Sequence, residues 1–111
     1  PMSRYEVRFG ERVVELVELD AGQMSLVMKA GNVPGNAQGT GYNTALEGLR
    51  HSIVTIAGRA VKYNDLAGKG LSSHFRSREI VLLQTAWNKM HLPDEEELAD
   101  VGNGMTPISG A

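Results

Sequence analysis

The chain has no cysteine, few aromatic residues and no long apolar run, and each shortage removes a class of function. Without cysteine among its 111 residues there is neither a disulfide framework nor a thiolate metal site. Aromatic residues make up 5% of the chain, with a single tryptophan, so platforms for stacking unpaired bases are scarce. No apolar stretch approaches the roughly 18 to 20 residues of a membrane span, and the N-terminus lacks a charged-then-apolar leader, so a soluble intracellular protein with no membrane partner is expected. Pro1 before Met2 reads as the remnant of a cleaved tag. The formal net charge is -2, with Lys and Arg scattered singly, which offers no basic stripe for phosphates and argues against a nucleic-acid partner.

The length suits one domain with a modest core. In "RYEVRFGERVVELVEL" the apolar residues alternate on both sides of Gly10-Glu11, a Gly-first pair suited to a type II′ hairpin turn. Placing Phe9 opposite Arg12 sets Val7 against Val14 and Tyr5 against Leu16, and collects Tyr5, Val7, Phe9, Val14 and Leu16 on one face. The other face carries Glu6, Arg8 and Glu15 to water. An isolated two-stranded hairpin is marginal, so helices or another chain must cover its apolar face.

Asp20 and Gln23 have capping-box spacing ahead of a short helix that stops near Gly31. "NVPGNAQGTG", with three glycines and a proline, reads as a flexible loop. Thr44 and Glu47 then have capping-box spacing, with Leu46, Leu49, Ile53 and Ile56 at helical intervals, so a core helix ending near Gly58 is expected. After an extended piece through Val61 and Tyr63 and an Asp65-Leu66 turn, Ser72 or Ser73 would cap a second core helix bearing Ile80, Leu83, Trp87 and Met90. Pro93 breaks that helix, "DEEELAD" restarts a short one, and the chain ends in a mobile tail. The expected fold is α+β, an N-terminal β-hairpin followed by a small, mainly helical bundle. Residues 1–100 would form one compact domain and residues 101–111 its flexible tail.

No motif for chemistry is complete. A phosphate loop around Gly68-Lys69 would need a glycine and a hydroxyl residue where Tyr63 and Gly70 stand. His51, His74 and His91 have no ligand spacing, so no metal is expected. Ser52, Ser72, Ser73 and Ser77 occupy no nucleophile elbow, and Glu95-Glu96-Glu97 form a run of the kind found on a solvated helix face. Arg50, Arg59, Lys62, Lys69, Arg76 and Arg78 are the nearest approach to a basic cluster, but the connection between the two helices is too long for a helix-turn-helix reader. No catalytic residue and no cofactor are therefore expected. The alternative to an enzyme is a binding module, with Tyr5, Val7, Phe9, Val14 and Leu16 on the hairpin and Trp87 and Met90 on the second helix as contact residues. An exposed sheet edge also makes a homo-oligomer an expected form.

The order of elements resembles a known family. "ELVELDAGQM" closing a strand pair, "IAGRAVKYNDLAGKGL" after a helix, and "REIVLLQTAWNKMHLP" leading to an acidic stretch are similar to the small tail assembly chaperones of tailed bacteriophages. The likeness spans about Tyr5 to Val101 and rests on short motifs: Val17-Glu18-Leu19-Asp20-Ala21-Gly22, Ile56-Ala57-Gly58-Arg59-Ala60-Val61 and Asp65-Leu66. It implies a non-enzymatic protein in the host cell cytoplasm that binds the tape measure protein and tail tube protein during tail morphogenesis. A longer frameshifted product is a further implication of that family. The long glycine segment from Gly31 to Gly41 departs from its pattern. A structural tail or connector subunit of a phage particle and a small DNA-binding regulator are the alternative readings.

Overall fold

A computed structural model of the chain describes residues 3–93 and 95–104. It is α+β, opening with the expected hairpin of β1 (Arg4–Phe9) and β2 (Arg12–Val17). Phe9 pairs with Arg12, Val7 with Val14 and Tyr5 with Leu16, as the alternation predicts. Gly10 has φ 64° whereas Glu11 does not enter the positive-φ region, which selects the type II′ turn over type I′.

Helix α1 (Ala21–Gly31) starts on the Asp20–Gln23 capping box, with Gln23 N–H donating to Asp20 Oδ1 at 2.8 Å and Asp20 N–H to Gln23 Oε1 at 3.1 Å. The following glycine-rich segment departs from the expected loop, because α2 (Ala37–Ser52) begins inside it. Three contacts offset the entropy of ordering those glycines. Asn36 Oδ1 caps Gly39 N–H at 2.8 Å, and Thr40 Oγ1 accepts from Val33 N–H at 2.8 Å and donates to Val33 O at 3.1 Å. Gly31 packs so tightly on Thr44 that a Cβ there would stand 2.6 Å from the Thr44 Cα. Thr44 is thus a mid-helix contact and not the expected cap.

The expected continuation of this helix to Gly58 is also corrected. It stops at Ser52, and the chain passes directly into β3 (Ile53–Ile56), which an Ala57-Gly58 turn joins to β4 (Arg59–Ala60). Four consecutive β-branched residues favour strand over helix. A bulge resolves the apparent helical spacing: Leu16 faces Ile53 and Glu15 faces Thr55, leaving Val54 as the extra residue. The phase shift brings Ile53 and Ile56, three apart, onto the same buried face. The sheet is antiparallel throughout, in the order β1-β2-β3-β4.

Two short helices follow, α3 (Tyr63–Leu66) and α4 (Gly70–His74), then α5 (Ser77–His91) and α6 (Glu95–Gly104). Ser72 and Ser73 lie inside α4 and do not cap the long helix; the α5 N-terminus is held by the Glu79 carboxylate, which accepts from Arg76 N–H at 2.9 Å. Helix α6 carries its backbone four residues past Asp100 into the expected tail, since extending a formed helix adds one hydrogen bond per residue. The remainder of that tail, residues 105–111, lies outside the described residues.

Helices α2 and α5 lie on one face of the sheet and enclose the core. Its centre is Trp87, whose indole lies against Gly48 and whose Nε1–H donates to the buried Ser52 Oγ at 2.9 Å. His91 stacks on that indole with ring centres 4.5 Å apart, and its Nε2 accepts from Leu19 N–H at 2.8 Å. The His91 Nδ1–H therefore donates to Trp87 O at 2.8 Å, which identifies the neutral tautomer present. Gly48→Ala drives a methyl group into the indole and is expected to cost about 1–3 kcal/mol in urea denaturation. Trp87→Phe strands the Ser52 hydroxyl in the core, and the double variant Trp87→Phe/Ser52→Ala is expected to recover part of that loss in the same measurement.

Candidate functional site

The residues expected to contact a partner divide by burial. Val14 and Leu16 are 0% exposed, Trp87 5% and Met90 8%, so these four form monomer core and present almost no accessible surface in the folded chain. Their apolar stripes face one another, which explains why a pattern that suggests a contact face belongs to the interior. Val7 and Phe9 are half-buried against that core, and Tyr5 is open at 44% exposure. Among the described residues no three His, Cys, Asp or Glu side chains gather where they could hold a metal ion, and no helix is long and apolar enough to cross a membrane. His51 approaches Glu47 at 3.5 Å, while His91 serves the core and His74 Nδ1–H donates to Gly70 O at 2.8 Å.

A large depression lies at the end of the sheet, where the β3–β4 hairpin meets α3 and α4. It has a volume of about 780 Å³ and is lined by Arg12, Ile56, Ala57, Arg59, Ala60, Val61, Asp65 and His74. The Ala57-Gly58 turn has φ 52° and 80°, the two positive values of a type I′ hairpin. Ala57 is the one non-glycine described residue in that region, and its N–H donates to Val13 O at 2.8 Å, holding the hairpin tip against β2. Arg59 pairs with Ile56 across the turn and Val61 N–H donates to Val54 O at 3.0 Å, so the intervening Ala60 turns its backbone N–H and C=O away from β3. Among the described residues the groove therefore combines an unpaired strand edge, an apolar floor, the Arg59 guanidinium and the Asp65 carboxylate, which suits an extended segment with a carboxylate placed beside Arg59.

Arg12 fixes one wall. Its guanidinium lies 4.9 Å from the Phe75 ring centre, donates to His74 O at 2.9 Å and reaches a Glu79 carboxylate oxygen at 2.9 Å. The Arg76 N–H bond, followed by the Arg12 contact, holds Glu79 below the ordinary carboxylate range. Glu47 braces the other side: it accepts from Arg50 at 3.1 Å and from the Tyr63 hydroxyl at 2.7 Å, and that second bond raises the Tyr63 pKa. Arg50 also donates to Leu66 O at 3.0 Å and Gly68 O at 3.1 Å, tying the α3 turn to α2. Sequence reading missed this groove because Arg12 and Glu79 are 67 residues apart and meet only through the fold. The Ala57-Gly58 pair behind a β-branched run was the one local signal.

Relief of the positive φ makes Ala57→Asn stabilising by about 0.5–1 kcal/mol in thermal or urea unfolding, since asparagine tolerates that conformation better. The depressed Glu79 contributes stability in full above the ordinary carboxylate value of 4.5 and loses it as pH falls through the lower folded-state value. Glu79→Gln is accordingly expected to lower the melting temperature at neutral pH and to flatten its decline on acidification below 4.5, as scanning calorimetry would record.

The chain matches no protein-family model, no curated protein and no solved structure.

Proposed function

We propose that this protein is a non-enzymatic assembly chaperone of tailed bacteriophages, acting in the host cytoplasm to hold segments of the tape measure protein and tail tube protein before they enter the tail. One observation carries the reading. Of the residues that line the large groove, Ile56, Ala57, Arg59, Ala60, Val61 and Asp65 all belong to the stretch that resembles this family. The segment with the family likeness is thus also the segment that offers a binding surface.

A strand edge captures extended chain through backbone hydrogen bonds whatever its side chains, whereas Arg59 adds a preference for a carboxylate, the Arg12 charge being already paired with Glu79. Such a site suits temporary holding, because it is shallow and releases its occupant when a larger interface forms. Capture of tail proteins from phage-infected cells on the immobilised chain tests the proposal. Co-purification of a long helical tape measure protein, reduced roughly tenfold by Arg59→Glu, is the expected result. Recovery of only mature virions, or of DNA in a salt-sensitive manner, would contradict it and favour a structural subunit or a regulator.

A further inference from the structure

We propose that β1 is a dimerisation edge that pairs antiparallel with β1 of a second copy about a two-fold axis at Val7. The two four-stranded sheets then join into one of eight strands. This edge lies at the opposite side of the sheet from the β4 groove, so the inference is independent of the tail-protein reading.

β1 is the first strand in the sheet order and, among the described residues, has a neighbour on one side only. Because Phe9 and Arg12 flank a two-residue turn, odd-numbered residues of β1 direct their backbone groups to β2. The Glu18 N–H to Ser3 O bond of 2.8 Å continues that phase. Arg4, Glu6 and Arg8 consequently turn their N–H and C=O groups outward, and a second strand must meet them with its own outward residues.

Few two-fold registers satisfy that condition, and charge separates them. An axis at Glu6 sets Glu6 against Glu6 and Arg4 against Arg8 of the second copy, opposing like charges throughout. An axis at Tyr5 pairs Arg4 with Glu6 but uses only the first half of the strand. An axis at Val7 sets Glu6 opposite Arg8 of the second copy twice over, each pair exchanging both backbone bonds. The same side chains already attract within one chain, where Arg8 approaches Glu6 at 3.2 Å with both largely exposed. On the other face this register brings Val7 onto Val7 and Tyr5 onto Phe9 of the second copy. Leu82, 46% exposed, lines a hollow beside Phe9, so the incoming Tyr5 covers apolar surface that is open in the monomer. The charged residues that protect an ordinary edge from pairing are here arranged in self-complementary order.

Sedimentation equilibrium on the whole chain and its variants tests this. The wild type is expected to dimerise, and Glu6→Arg and Arg8→Glu each to weaken self-association roughly tenfold or more by turning both cross-strand pairs repulsive. An equimolar mixture of the two variants is expected to associate again, because each arginine then faces a glutamate, and the double variant Glu6→Arg/Arg8→Glu is expected to dimerise alone. Far-UV circular dichroism of each variant checks that the exposed substitutions leave the fold intact. A wild type that stays monomeric at all concentrations, or variants that associate like the wild type and gain nothing on mixing, would overturn the proposal.

Discussion

Trp87 against Gly48 is the contact on which the rest of the structure depends. The absent side chain at Gly48 lets α5 approach α2 closely enough for the indole to fill the space between them and reach Ser52. Ser52 is the last residue of α2, so the hydrogen bond that ends the indole's reach also marks where helix becomes strand. From the same indole, His91 extends the contact to Leu19 at the exit of β2. One tryptophan thus joins both long helices, the start of β3 and the end of β2, in a core with few alternatives of comparable size.

That arrangement determines what remains available. Helices α2 and α5 cover a single face of the sheet, leaving its two edges as the places where backbone hydrogen-bonding groups meet solvent. The β4 edge is short and enters a groove framed by Arg12, Arg59, Asp65 and His74. The β1 edge is longer and carries Arg4, Glu6 and Arg8 in alternation. Arg12 links the two regions: it begins β2 beside Phe9 and closes on Phe75, His74 and Glu79, so the hairpin is anchored to the segment between α4 and α5.

Much of this was legible in the sequence where a local rule had no competitor. The hairpin register followed from alternation and one glycine, the Asp20 cap from its spacing to Gln23, and the buried stripe of α5 from helical periodicity. Most of the failures involve contacts that local patterns do not announce. Ile53 and Ile56 have helical spacing, yet a bulge opposite Glu15 and Leu16 gives the same spacing to a strand, and only the pairing with β2 distinguishes them. The glycines after Gly31 signalled disorder until the Asn36 cap and the close packing on Thr44 enter the balance. The groove was least legible, since the Arg12 anchor depends on residues more than sixty positions away.

The most direct test of the Trp87 anchor is hydrogen exchange, followed by NMR, at the Trp87 indole N–H and the Leu19 backbone N–H. The Trp87 indole N–H, bonded to Ser52 inside the core, should exchange only through global unfolding, at a free energy matching that from urea denaturation, and the Leu19 N–H, bonded to the half-buried His91, should be protected well beyond an exposed amide. Exchange of either proton at the rate of an exposed group, while the β2 and β3 amides stay protected, would contradict the account and place the organising contact elsewhere.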